Sequence, residues 1–344
     1  MMQKTALTGL FPEEICEVLS LDAPFRGRQI FKWIYSGAEG FSEMTNLSKE
    51  LRARLSESAS LRSTSVKRIL RDDEGTVKLQ IETSDALAVE TVLLIDKEGR
   101  KTACVSCQAG CAMGCAFCKT GTLGLARNLT AAEIVEQFLF LEKEVGLLSN
   151  IVFMGMGEPT QNLGEIRKSV AIISSAEGRA LSPRRITIST CGITKGISER
   201  ADEGPKVRLA LSLTTADQKL REEIMPTAKA NPLSELKKAL EYHCEKTGFR
   251  ATLEVALLAG KNSDEKSAEK VAEFARAISA NVNVIAWNEV EGLPFSSPSR
   301  EECDAFLKIL HDSGVNATLR RRRGSKIGGA CGQLGSTGNF RQEA

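Results

Sequence analysis

The stretch CVSCQAGCAMGCAFCKTG, residues 104–121, holds five of the chain's ten cysteines and separates two different sequence patterns. Within it Cys111, Cys115 and Cys118 are spaced C-x3-C-x2-C. That spacing lets one tight, glycine-eased loop aim three thiolates at a single object. Three thiolates suit a [4Fe-4S] cluster, each sulfur binding one iron while the fourth iron stays open to a small ligand. A zinc ion with three cysteines and a distant fourth ligand, or three unconnected buried thiols, are the plainer readings. Zinc is disfavoured because structural zinc sites usually draw on paired Cys or His units, and the chain has only His243 and His311. Cys107-x3-Cys111-x3-Cys115 offers an overlapping triad. The step to Cys118, followed by Lys119, Thr120 and Gly121, makes the later triad the better cradle and leaves Cys107 a spare or sensor thiol.

Upstream, the runs VKRIL, VKLQIE and LAVETVLLI are parted by the turns DDEG and DKEG, the pattern of a small β-meander. Earlier still, FRGRQIFKWIYSG places Phe25, Ile30, Phe31, Trp33 and Ile34 in an amphipathic helix stopped at Gly37, and LSKELRARL reads as a second helix. Arg26, Arg28, Lys32, Arg52 and Arg54 on these helices form either a solvated face or one turned to RNA.

Downstream, Thr130 and Glu133 form a capping box ahead of an apolar helical face. The strand-like runs NIVFMG, RRITIST, KVRLALSL, ATLEVALL and NVNVIAW then alternate with helix-like segments. Five such strands plus one before the cysteines predict an α/β fold, an open (βα)6 partial TIM-like barrel, with a small N-terminal helical domain and a β extension. The boundaries read as 1–62 for the helical domain, 63–100 for the β-meander, 101–320 for the barrel and 321–344 for a C-terminal loop. The end of the chain, ATLRRRRGSKIGGACGQLGSTGNF, is basic, then glycine-rich, and is expected to be a mobile loop outside the core. Ligands of such sheets bind at the C-terminal ends of the strands, where the cysteine loop and GMGEP fall. GMGEP, residues 155–159, follows its strand directly. Its glycines permit close backbone approach, and Glu158 offers a carboxylate to a cationic amine, although the motif alone is equally a simple turn.

With 46 basic and 44 acidic residues the net charge of +2 does not by itself argue for a nucleic-acid partner, so such a claim needs local clustering. MMQKTALTGLFPEEIC lacks the apolar core of a signal peptide, and no apolar run is long enough to span a bilayer. A cytoplasmic protein with reduced thiols and no membrane partner is expected.

CAMGCAFC together with GMGEP resembles the radical S-adenosylmethionine (SAM) enzymes. VETVLL, CVSCQAGC, FCKTGTLGLARNLTAAEI, MGMGEP, SPRRITIST, MPT and ACGQL resemble the RlmN/Cfr family of rRNA adenine methyltransferases, from about residue 25 to 335. The resemblance implies that Cys111, Cys115 and Cys118 hold the cluster. It implies that Gly157, Glu158, Ser189, Ser212, Leu213, Thr214 and Asn288 bind SAM. Cys331 is the implied methylated cysteine, Cys104 its later disulfide partner and Glu90 the general base. The implied chemistry starts from the electrophilic character of adenine C2 and C8, which do not attack a sulfonium methyl. One SAM methylates Cys331, a second yields a 5'-deoxyadenosyl radical that takes hydrogen from that methyl, and the carbon radical adds to the base. Two SAM are thus used per turnover. The implied partners are 23S rRNA, with tRNA as a further substrate, and an electron donor such as flavodoxin or ferredoxin; a monomer is expected. C2 methylation is the leading reading, and C8 methylation, which confers ribosomal antibiotic resistance, or action on another RNA are the alternatives. The chain departs from the family pattern at Thr214, where histidine is usual, at Cys107, where Ser or Thr is usual, and at Lys326, Gly328 and Gly329, where acidic residues are usual. RNA contact is expected from Arg320, Arg321, Arg322, Arg323 and Lys326, and a target adenine has to leave its stack to reach a buried site.

Overall fold

The computed structural model describes residues 4–335. Three helices open the chain, α1 (Pro12–Val18), α2 (Pro24–Tyr35) and α3 (Lys49–Ser58), bracketed by the short parallel pair β1 (Thr5–Ala6) and β2 (Ala59–Ser60). Helix α2 buries Ile30, Phe31 and Ile34 against the body of the protein, whereas Phe25 is 57% exposed, so the apolar face is narrower than the sequence implied. The chain leaves α2 through Gly37 at φ +96°, a conformation that suits glycine.

Next come β3 (Ser65–Arg71), β4 (Val77–Glu82) and β5 (Ala88–Ile95), the expected antiparallel meander. Strand β5 pairs with β6 (Lys101–Cys104), which is also the first strand of the parallel sheet. Between β6 and α4 (Ala131–Val145) the chain makes a hairpin, β7 (Gln108–Cys111) and β8 (Gly124–Asn128), whose tip carries Cys115 and Cys118. Helix α4 starts at the expected capping box: Thr130 Oγ1 accepts the Glu133 N–H at 3.3 Å, and Glu133 accepts the Thr130 N–H at 2.9 Å.

The βα units follow as β9 (Asn150–Phe153), α5 (Leu163–Ser174), β10 (Ile186–Thr190), α6 (Thr194–Glu203), β11 (Arg208–Ser212), α7 (Gln218–Ile224), α8 (Leu233–Thr247), β12 (Thr252–Leu257), α9 (Glu265–Ala277), β13 (Asn281–Ala286) and α10 (Arg300–Asp312). All six expected parallel strands are present. A seventh, β14 (Ala317–Leu319), adds to the edge beside β13 from the segment expected to be loop. It was missed because three residues ahead of an arginine run are too short to show a periodicity. The resulting open sheet of ten strands runs β14-β13-β12-β11-β10-β9-β6-β5-β4-β3, parallel from β14 to β6 and antiparallel beyond. Helices cover one face of the parallel strands and fully bury its apolar residues, Ile186, Ile188, Leu209, Leu211, Leu253, Val255 and Val284, while the alternate positions include Ser189, Ser212, Glu254 and Asn283. No described helix is long and apolar enough to cross a membrane.

Candidate active site

A cavity of about 180 Å³ opens at the C-terminal ends of the parallel strands and collects residues from each strand or the loop that follows it. Cys111, Cys115 and Cys118 line one wall. Their loop is anchored on several sides. Ala116 N–H donates to Ile224 O at 2.9 Å, Lys119 N–H to Gly332 O at 2.7 Å, and Trp287 Nε1–H to Phe117 O at 2.9 Å. Gly121 lies so close to the Cys115 backbone that a side chain there would sit 2.9 Å from its carbonyl oxygen. Burial pushes all three thiols above their ordinary range, Cys111 to about 11, and at Cys115 the neighbouring Cys118 and Cys111 raise it further. Three buried thiols that repel one another's charge suit a cationic group able to neutralise them together. Among the described residues no three His, Cys, Asp or Glu side chains converge as ligands of a single ion. Three cysteine sulfurs on one loop fit an iron–sulfur cluster, one iron to each thiolate. Cys104 and Cys107 also form a C-x2-C step, but Cys107 points into the hydrophobic core while Cys104 lines a different cavity, so they do not complete a zinc site with Cys115 and Cys118.

The opposite wall is built from strand ends. Gly157 adopts φ +102°, and a Cβ there would lie 2.6 Å from Gln108 Cβ. Glu158 is 3% exposed. Its Oε1 accepts Thr160 N–H at 3.1 Å and Thr160 Oγ1–H at 2.6 Å, and its Oε2 accepts Cys191 N–H at 2.8 Å. A carboxylate accommodates about four donors, so room for one more remains. Ser189, Ser212, Thr214 and Asn288 line the same cavity, as do Gly157 and Glu158. Leu213 does not; it is fully buried, and its carbonyl accepts Arg221 Nε–H at 3.3 Å. Thr214 holds φ +60°, with its N–H on Glu254 O at 3.1 Å and its carbonyl on Asn262 Nδ2–H at 2.8 Å, a backbone strain typical of functional walls. Asn288 donates from Nδ2 to Cys331 O at 3.1 Å, while its buried Oδ1 has no partner among the described residues. An orphaned acceptor facing a cavity fits a ligand that brings a donor, as the amino and ribose groups of SAM would.

Cys331 lines this cavity and also a second one of about 420 Å³, whose wall includes Cys104. The two thiols expected to pair thus face one space. Burial, then the neighbouring Cys331, pushes Cys104 up to about 12, with Arg320 opposing. Arg320 lies between the cavities, its Nη1 donating to Glu254 Oε2 at 3.3 Å. This corrects its expected place on an RNA-facing surface: it is an inward cation held by a carboxylate. Glu90 lies outside both cavity walls. Its Oε1 accepts Lys78 Nζ–H at 3.2 Å and Gln80 Nε2–H at 3.1 Å, and its Oε2 accepts Gly335 N–H at 2.8 Å. The C-terminal segment therefore covers it. That segment is not the free loop expected: Ala330 and Leu334 are buried, Lys78 Nζ also holds Gly328 O at 3.2 Å, and Thr120 Oγ1 donates to Leu334 O at 2.7 Å. Residues 336–344 of the expected loop lie outside the described residues.

Cys107, expected as a spare or sensor thiol, is a core side chain 2% exposed, its ionisation opposed first by burial. Cys191, Glu254, Trp287 and Met154 line the main cavity and were missed. Glu254 had a signal, a lone charge in the apolar run ATLEVALL; Cys191 follows the strand whose Ser189 was singled out.

Residues 105–275 match the radical SAM superfamily, and residues 18–61 match the ribosomal RNA large subunit methyltransferase N-terminal domain. The chain is 57% identical over 334 residues to a probable dual-specificity RNA methyltransferase RlmN of Treponema denticola, covering 97% of this chain and 96% of the relative. It is 42% identical to the dual-specificity RNA methyltransferase RlmN of Nitratidesulfovibrio vulgaris, covering 90% and 88%. The crystal structure of a radical SAM methyltransferase from Sphaerobacter thermophilus superposes with a TM-score of 0.93 at 40% identity, covering 97% of this chain and all of that one. With the cysteine loop, the GMGEP turn and the two facing thiols in place, the chain belongs to the RlmN family of radical SAM methyltransferases.

Proposed function

We propose that the chain methylates C2 of an adenine in 23S rRNA, with tRNA as a second substrate, through a methyl group carried on Cys331 and at the expense of two SAM per turnover. The observation that carries the reading is that Cys331 borders both the cluster-side cavity and the space it shares with Cys104. The names of the relatives support an RNA substrate. When bound, a [4Fe-4S] cluster on Cys111, Cys115 and Cys118 and SAM along Gly157, Glu158, Ser189, Ser212, Thr214 and Asn288 would supply the electron, the methyl group and the radical.

The protein's own groups do the rest. Glu158 offers its remaining acceptor capacity to an ammonium, and Asn288 Oδ1 takes a donor while Nδ2 steadies the Cys331 backbone. Cys331 is the methyl acceptor. Glu90 removes the proton from the carbon that is methylated, once the Gly335 N–H has withdrawn from its carboxylate. Cys104, held as a thiol by burial, gives up its proton as its sulfur bonds to the Cys331 sulfur; the electron pair of the broken sulfur–methylene bond stays on the methylene carbon, which takes up a proton to become the methyl group.

The test is to identify methyladenine isomers by mass spectrometry in rRNA and tRNA from cells with and without the gene. Gene-dependent 2-methyladenine is expected. An 8-methyladenine product would replace the C2 assignment, and no difference at any adenine would sink the RNA reading.

A further inference from the structure

Four consecutive arginines look alike in sequence, yet the fold gives them three situations. Arg320 faces inward to Glu254, and Arg321 pairs with Glu74 at 3.4 Å. Arg322 is exposed and Arg323 half-buried, and neither has an ion pair or a side-chain hydrogen bond among the described residues. Both line the cavity that holds Cys104 and Cys331. Both also line an adjoining one of about 620 Å³ that reaches Ser299 at the start of α10. The two cavities share this arginine wall, with Arg100 on it already tied to Asp96 and to Glu98, the latter at 3.1 Å.

A concave surface therefore leads outward from the reactive thiols, and it carries two guanidinium groups that no acid neutralises. Adjacent like charges repel, and two other basic residues of this rim, Arg100 and Arg321, have acidic partners. The unpaired state of Arg322 and Arg323 is relieved by an anion entering the groove. The planar fork of arginine suits the two free oxygens of a phosphodiester.

We propose that this groove is the backbone track of the RNA strand that flanks the target nucleotide, with Arg322 and Arg323 each contacting one phosphate. The assignment rests on the RNA reading above. It places the strand so that an unstacked base between its phosphates enters the space between Cys104 and Cys331.

Reconstituted holoenzyme is tested for retention of transcribed 23S rRNA on filters over a range of KCl concentrations, beside the Arg322→Gln/Arg323→Gln and Arg322→Lys/Arg323→Lys variants. Each lost phosphate contact lowers the slope of log affinity against log salt by roughly 0.7 to 0.9. The glutamine variant is expected to lose about 1.4 to 1.8 in slope, and the lysine variant to regain most of it. Iron content and SAM binding of the same preparations report an intact fold, and the exposed Arg322→Gln alone gives half the change if the double variant folds poorly. A glutamine variant with the unaltered slope and affinity would overturn the groove while leaving the RNA reading standing. Failure of the unaltered enzyme to bind RNA would overturn both.

Discussion

Replacing Gly157 by alanine is a direct test of how the GMGEP turn makes a cofactor wall. Two penalties add at this position. The backbone sits at φ +102°, and holding an alanine in such a region costs about 1–3 kcal/mol. The added Cβ would also stand 2.6 Å from Gln108 Cβ and 2.9 Å from Gln108 N, in a strand whose backbone has little freedom to give. Gln108 Oε1 accepts the Glu158 N–H at 2.8 Å, so relief of the clash displaces the residue expected to meet SAM. If the turn opens to relieve about 2 kcal/mol, SAM must close it again, and its affinity falls about 30-fold. Gly164, early in α5, is the control, because a Cβ there meets nothing within 4 Å. Alanine at 164 is expected to leave SAM affinity unchanged and to stabilise the helix by up to about 1 kcal/mol. Equilibrium dialysis with labelled SAM on anaerobically reconstituted protein measures both. Native SAM affinity in Gly157→Ala, with iron content equal to the control, would refute the argument.

Cys104→Ala is expected to accumulate protein covalently joined to RNA, seen as a ribonuclease-sensitive shift on denaturing gels; clean turnover by that variant would reject its role in release. Because burial holds the Cys104 pKa at about 12, above the roughly 8.5 of an unfolded thiol, its contribution to stability is complete below the unfolded value and is lost as pH rises toward 12. The urea midpoint of the native chain should therefore fall more steeply than that of Cys104→Ala between about pH 9 and 12; parallel curves would contradict this. Lys78 and Glu90 form an ion pair with both side chains 2% exposed. Lys78→Met leaves a buried carboxylate short of one partner, a loss of about 3–5 kcal/mol for such pairs, expected near the lower end because Gln80 and Gly335 still donate. Adding Glu90→Gln should recover part of the loss in denaturation midpoint, and no recovery would mean that the pair is not what Lys78 stabilises.

The barrel was legible because each parallel strand buries one face under helices, and the alternate apolar residues of ITIST, LALS and VNVIA carry that requirement in their letters. The gathering of Cys111, Cys115 and Cys118 on one cavity wall was also legible, since their spacing places them on one tight loop. The roles of the arginines were not, since nothing in RRRR tells which side chain turns inward; Glu254, sixty-six residues earlier, selects Arg320. The ordering of the C-terminal segment was equally hidden. It depends on carbonyls of Gly332 and Leu334 received by Lys119 and Thr120, and main-chain acceptors have no sequence signature. Cys107 read as a spare or sensor thiol because cysteines were crowded around it, whereas burial decides that it packs.

Strands β5 and β6 are neighbours in a single ladder, with Val92 opposite Cys104. The separation of Glu90 from Cys104 is therefore set by sheet geometry and is the same in every encounter with substrate. Cys331 belongs to no strand, and its segment is held by a few hydrogen bonds, one of them on Glu90 itself. On the proposed mechanism Cys331 would move while Glu90 and Cys104 stay in place, so detachment of that segment would set a tempo that belongs to neither RNA binding nor bond making. An enzyme built this way would have a rate ceiling tunable by residues such as Lys78 that never meet a substrate.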